Sequence, residues 1–157
     1  MKITLLVIGK TDKKYLIDAI DEYCKRLIHY IKLEYITLPD IKNARNVSQE
    51  QLIKKEGELI ISYMKSNCEL YLLDENGKQF TSVEFARFIE KKQVAGQKDL
   101  VFVIGGAFGF APEVKSKASG LISLSALTFS HQLVRLIFME QLYRAMTIIK
   151  GEPYHHQ

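Results

Sequence analysis

The sequence predicts an α/β fold in which a parallel sheet is flanked by helices, and three observations carry that prediction. Short β-branched and leucine-rich runs recur, each closed by glycine, proline or turn residues. Between them lie segments whose apolar residues fall at i, i+3 and i+4. Two of those segments open on capping boxes, in which a Ser or Thr and a residue three places on satisfy each other's backbone donors. Strands alternating with helices need crossover connections, and crossovers build parallel sheets covered on both faces.

The elements follow in order. Lys2–Ile8 is an apolar run closed by Gly9, the pattern of a strand buried on both faces. Residues 13–31 place Leu16, Ile17, Ile20, Tyr23, Cys24, Leu27, Ile28 and Ile31 on one helical stripe. Residues 33–38 make a second strand stopped by Pro39, and residues 40–47 a polar loop with Lys42 and Arg45. Ser48 and Gln51 cap a second helix. Residues 69–74 are the third strand, followed by Glu75-Asn76-Gly77-Lys78, read as a turn in which Gly77 takes positive φ. Thr81 and Glu84 cap a third helix that runs to Val94 and breaks at Gly96. Residues 100–104, LVFVI, are the most hydrophobic strand. Pro112 suits the first turn of a short helix, residues 121–124 form a fifth strand, and residues 132–149 a long helix stopped by Gly151 and Pro153. No repeat, linker or low-complexity segment intervenes, so residues 1–157 read as a single domain.

Composition narrows the function classes. Of 157 residues, 47% are hydrophobic and 25% charged, enough apolar material for a full core and too much for a disordered chain. No apolar run reaches the roughly 18 residues of a membrane span. MKITLLVIGK has too short an apolar stretch for a signal peptide and no small-residue cleavage site, so a soluble, cytoplasmic protein is expected. The net charge of +4 permits an anionic partner without requiring one. Cys24 and Cys68 form no CxxC and match no zinc spacing, and they read as core thiols; no metal is expected.

The last helix is apolar nearly all round its axis. Such a helix needs two partners: its own sheet, and either a second subunit or further helices of the same chain. Chemistry has three candidate locations. Gly105-Gly106-Ala107-Phe108-Gly109-Phe110 leaves a buried strand at its carboxyl end, where open α/β sheets bind ligands, and such a turn serves either as a ligand cradle or as chain geometry. It is neither the dinucleotide fingerprint G-x-G-x-x-G nor a phosphate loop. Leu124-Ser125-Ala126-Leu127-Thr128-Phe129-Ser130-His131 is a hydroxyl-rich loop in which Ser130 caps the last helix and His131 is either structural or part of a site; no acyl-transfer triad accompanies it. The end of the chain carries Tyr154, His155 and His156, which reads as a tail packed into a pocket, beside Glu140 and Arg144 one helical turn apart.

Together these segments resemble the RlmH family, the small SPOUT-class methyltransferases of bacterial large-subunit ribosomal RNA. The resemblance spans the chain through MKITLLVIGK, KEGELI, LLDENGK, FVIGGAFG, SLSALTFSHQLVRLIFMEQLYRA and IIKGEPYH. It implies a SPOUT-like fold with a C-terminal trefoil knot, a homodimer, S-adenosyl-L-methionine as cofactor, and as target the N3 of a pseudouridine in 23S rRNA. The family's cofactor pocket maps to Leu73, Gly105, Leu124, Ser125, Ala126, Leu127, Thr128 and Phe129. Its loop-and-helix motif maps to His131, Arg135, Glu140, Tyr143 and Arg144, and its terminal Pro-Tyr-His to Tyr154 and His155; several members have proline where this chain has Ser130. On that mapping Arg144 positions a phosphate or stabilises charge on the base, Tyr154 stacks on the nucleotide, His155 bonds to it or takes a proton, and His131 shapes the cofactor loop. A small chain of +4 has little grip on naked RNA, so the target is expected on assembled ribosomes. Lys13, Lys14, Lys42 and Arg45 are either phosphate contacts or solvated surface. A non-catalytic ribosome-binding factor on the same fold is the competing reading; a Rossmann oxidoreductase lacks its fingerprint.

Overall fold

A computed structural model of the chain describes residues 1–64 and 67–156. Among these residues five parallel strands, β1 (Lys2–Ile8), β2 (Lys32–Leu38), β3 (Cys68–Gln79), β4 (Asp99–Ile104) and β5 (Gly120–Ser123), lie in the order β2-β1-β4-β3-β5. Five helices join them: α1 (Lys14–Leu27), α2 (Gln49–Tyr63), α3 (Ser82–Val94), α4 (Pro112–Lys117) and α5 (Leu133–Lys150). Both capping boxes form, at Ser48 with Gln51 and at Thr81 with Glu84.

Alternation along the central strands divides the interior into two cores. On one side Ile3, Leu5, Val7 and Phe102 meet Leu27 of α1, Phe85 and Ile89 of α3, and Phe138 and Met139 of α5. On the other, Leu6, Ile8, Val101 and Val103 meet Ile60 of α2 and Val114 of α4. Each buried side chain of this size contributes about 1.5–3 kcal/mol. Cys24 and Cys68 are half-buried and pack against the two cores respectively. No helix among the described residues is long and apolar enough to cross a membrane.

Two details depart from expectation, and a third shows one of the two alternatives left open for the last helix. α1 stops at Leu27, and residues 28–31 tighten into turns that bring buried Ile31 into β2. β3 does not end in a turn at residues 75–78. It loops out and returns, so that both Leu73 and Lys78 pair with Ile122 of β5. Gly77 does not adopt positive φ. It is glycine because a Cβ there would stand 2.6 Å from the carbonyl carbons of Leu121 and Ile122. Finally, α5 finds neighbours within the chain, lying between α1 and α3 against the sheet. Along it Leu133 is exposed, Ile137 is half-buried, and Leu136 is half-buried against the first core. Gly151 (φ 68°) ends it in a left-handed turn, with the Glu152 N–H bonded back to the Thr147 carbonyl at 2.9 Å.

Candidate functional site

Beyond the carboxyl ends of β3, β4 and β5 lies a cavity of about 600 Å³. Leu73 reaches it from β3, Gly105 through Phe110 from the turn after β4, and Leu124, Ser125, Leu127, Thr128 and Phe129 from the loop after β5. His131 and Val134 reach it from the start of α5. Seven of the eight residues expected to hold a cofactor therefore converge on one space; Ala126 is exposed and off the lining.

The glycine turn takes its shape from what surrounds it. A Cβ on Gly105 would meet the Phe110 ring at 3.0 Å, and one on Gly106 the Glu56 carboxylate at 2.5 Å. The turn's main chain is thus backed by Phe110 and Glu56 and faces the cavity. Burial pushes the Glu56 carboxyl up and Asp40 adds to the rise, while a hydrogen bond from the Gly106 backbone draws it down. In the loop after β5, the Ser123 hydroxyl donates to the Ser125 carbonyl, and the Leu127 N–H donates to the Ser125 hydroxyl, each at 2.9 Å. These bonds hold Leu127, 75% exposed, at the rim; Phe108, 51% exposed, stands on the opposite turn.

Asp74 closes one wall. It accepts from the Asn76 N–H at 2.9 Å and pairs with Lys115 at 3.2 Å. Burial works to raise its carboxyl, but these two partners outweigh it and hold it below the usual range.

Arg135 anchors the start of α5. It is fully buried and donates to the carbonyls of Ile8 (2.6 Å), Gly9 (2.9 Å) and His131 (3.1 Å) and to the Thr11 hydroxyl (3.0 Å). The Ser130 hydroxyl accepts the Leu133 N–H at 3.1 Å and so ties down a free donor of the first turn, although Gln132, not Ser130, stands at the cap position of α5. His131 is thereby fixed through its carbonyl while its exposed ring lines the cavity.

The second group of expected residues gathers at the other end of α5. Glu140 accepts from Arg144 at 2.5 Å and from the Tyr154 hydroxyl at 3.3 Å. Arg144 lies 3.4 Å from His155 Nδ1 and 4.8 Å from the Tyr154 ring centroid. Tyr154 packs edge-on against Tyr143 at 4.8 Å. Hydrogen bonding with Tyr23, burial and the Glu140 carboxylate push the Tyr154 phenol up, so it keeps its proton at neutral pH. The tail is therefore folded onto α5 and α1. Eleven residues separate Leu133 from Arg144, about 16 Å of helix, so within one chain this cluster and the cavity are separate.

Of the basic residues proposed as surface contacts, Lys14 pairs with Asp18 at 2.7 Å, and Lys13, Lys42 and Arg45 are exposed. Sequence reasoning named Phe110 within the candidate turn but missed Glu56, Asp74 and Lys115. A signal existed for Glu56: a glycine inside a helix, next to an acid, marks a close approach that costs helix stability. Among the described residues no three metal-ligating side chains are grouped to hold an ion.

The fold and cavity define an α/β protein with glycine-rich and hydroxyl-rich loops around a cavity at the carboxyl ends of parallel strands, where open sheets of this kind take ligands. Residues 1–155 match the family described as "Predicted SPOUT methyltransferase". Relatives named "Ribosomal RNA large subunit methyltransferase H" align over all 157 residues and over their own whole length. They include proteins from Parabacteroides distasonis (55% identical), Flavobacterium johnsoniae (55%) and Flavobacterium psychrophilum (56%). The chain belongs to the RlmH family of SPOUT methyltransferases.

Proposed function

We propose that this protein methylates large-subunit ribosomal RNA, with S-adenosyl-L-methionine as methyl donor and the N3 of a 23S rRNA pseudouridine as acceptor. It works as a cytoplasmic homodimer of one knotted domain, residues 1–157, on assembled ribosomes. The observation that carries the reading is the convergence of Leu73, Gly105 and the loop from Leu124 to Phe129 on one cavity.

The cavity suits such a donor. The Gly105–Gly106 main chain is bare on the cavity side because its side-chain directions are filled by Phe110 and Glu56. Leu73, Leu124, Leu127 and Phe129 supply apolar walls for a flat ring, and the loop's main-chain groups supply its hydrogen bonds. The bound donor supplies a methyl group already activated on a sulfonium. The chain's task is alignment of acceptor and donor, together with stabilisation of an N3 that has lost its proton.

Arg144 brings the positive charge for that, held in place by Glu140. Tyr154, kept as a phenol, offers a stacking face and a donor; His155, within reach of Arg144, is placed to hold or take the N3 proton. Because this cluster lies far along α5 from its own cavity, we assign it to the cavity of a second copy docked on the outward face of α5, where Leu133 is exposed and Ile137 half-buried. The test is incubation of purified protein and labelled S-adenosyl-L-methionine with ribosomes lacking the modification, followed by mapping of the labelled nucleotide. Label on a pseudouridine of 23S rRNA is expected; cofactor binding without label in rRNA would favour the non-catalytic ribosome-binding factor.

A further inference from the structure

The KEGELI segment of α2 has no part in the chemistry above, yet it meets the cavity from behind. Glu56 is 8% exposed, and its two carboxylate oxygens lie 2.5 and 2.7 Å from where a Cβ on Gly106 would stand. The next residue explains how α2 comes so close. A Cβ on Gly57 would stand 2.9 Å from Ala111 Cβ and 3.1 Å from Val114 Cγ2, so the missing side chain seats α2 on the start of α4. A mid-helix glycine costs about 1 kcal/mol relative to alanine, and here that cost is tied to delivering one carboxylate under one turn.

The carboxylate is poorly placed if packing is its only purpose. Among the described residues no cation is one of the groups acting on it: the charge nearest in effect is Asp40, of the same sign, and its favourable contact is the main chain of Gly106. Burying such a group is expensive unless a polar partner meets it, and the backbone it meets is that of Gly106, a residue that also lines the cavity. The two oxygens crowd the side-chain direction of Gly106, so they limit movement of that peptide.

We propose that Glu56 is a positioning residue for the cofactor, gripping the main chain of Gly106 so that the Gly105–Gly106 turn keeps its bare face towards the ligand. This rests on the reading that the cavity takes S-adenosyl-L-methionine. Gly106 and Glu56 are then one device, and changes to either act through the same displacement of the turn.

A double-mutant cycle tests this, with S-adenosyl-L-methionine affinity read by calorimetry and ligand-free stability read by thermal melting. Glu56→Ala should weaken binding about tenfold, the scale of a lost hydrogen bond to a charged group. Glu56→Gln, which keeps an acceptor of the same size, should restore most of that affinity. Gly106→Ala should weaken binding at least as much, because the new methyl meets the carboxylate, and in the Glu56→Ala background it should add little. Gly106→Ala stays informative if Glu56→Ala does not fold. The proposal is overturned if Gly106→Ala binds like the parent, if the two losses simply add, or if Glu56→Ala melts lower yet binds normally. Failure of the parent protein itself to bind S-adenosyl-L-methionine would instead bring down the reading of the cavity, and the proposal with it.

Discussion

Two residues show how far a side chain's surroundings decide its part. Arg135 belongs to the family motif, yet its guanidinium is spent inside the protein, tying the end of β1 to the start of α5 through three carbonyls and a hydroxyl. Arg135→Met leaves the Ile8 and Gly9 carbonyls without their donor, and a loss of about 3 kcal/mol in urea unfolding is expected. Asp74 acts through charge. Its carboxyl lies below the ordinary range, so it contributes stability that is present above its unfolded value of about 3.9 and is lost as pH falls through the lower folded value. Lys115→Met narrows that gap. The variant should unfold at slightly lower urea than the parent at pH 7, by about 0.5 kcal/mol since Lys115 is 40% exposed, and the difference should vanish near pH 2. A difference that persisted in acid would mean that Lys115 stabilises by packing.

At the scale of elements, β3 carries more of the site than its length suggests. Its loop between Leu73 and Lys78 brings Asp74 to the cavity wall, and Gly77 allows the returning strand to touch the backbone of β5. Gly77→Ala should therefore push β5 outward. A loss of about 2 kcal/mol in thermal unfolding is expected, with weaker cofactor binding because Leu124 follows β5 directly. Local sequence cannot foretell this: Glu-Asn-Gly has turn chemistry, and nothing near it reveals that Ile122, over 40 residues on, passes close by. The same division holds elsewhere. Alternating runs and capping boxes are local and were legible, as were the strand ends that open on the cavity. The trefoil knot stays an expectation that rests on the resemblance alone. For Glu56 the neighbouring helical glycine signalled a close approach, but not to what, because its role depends on α2 crossing behind the turn after β4. The tail was read as packed, and it is, but onto α5 and α1, since Tyr143 and Arg144 offer a ring and a charge to Tyr154.

For the whole molecule, the two ends of α5 pose the governing question. One end borders the cavity, the other carries Arg144, Tyr154 and His155, and about 16 Å of helix keeps them apart in a single chain. Two copies related by a two-fold axis can bring the far end of each helix to the near end of the other, because an isologous contact places the same patch on both sides. The apolar residues left on the outward face of α5 give such a contact its area. Light scattering at micromolar concentration should then report twice the chain mass. Mixing inactive chains supplies the decisive measurement. A chain lacking residues 154–157 keeps its cavity but has no Tyr154 or His155; a Thr128→Trp chain keeps its tail but fills the cavity with an indole. Each homodimer should be inactive on ribosomes. After mixing and re-equilibration half of the dimers are heterodimers, and each holds one complete site if the site is shared, so about a quarter of the parental activity should return. If each chain completes its own site, each of the two sites in a heterodimer carries one lesion, and mixing should restore nothing.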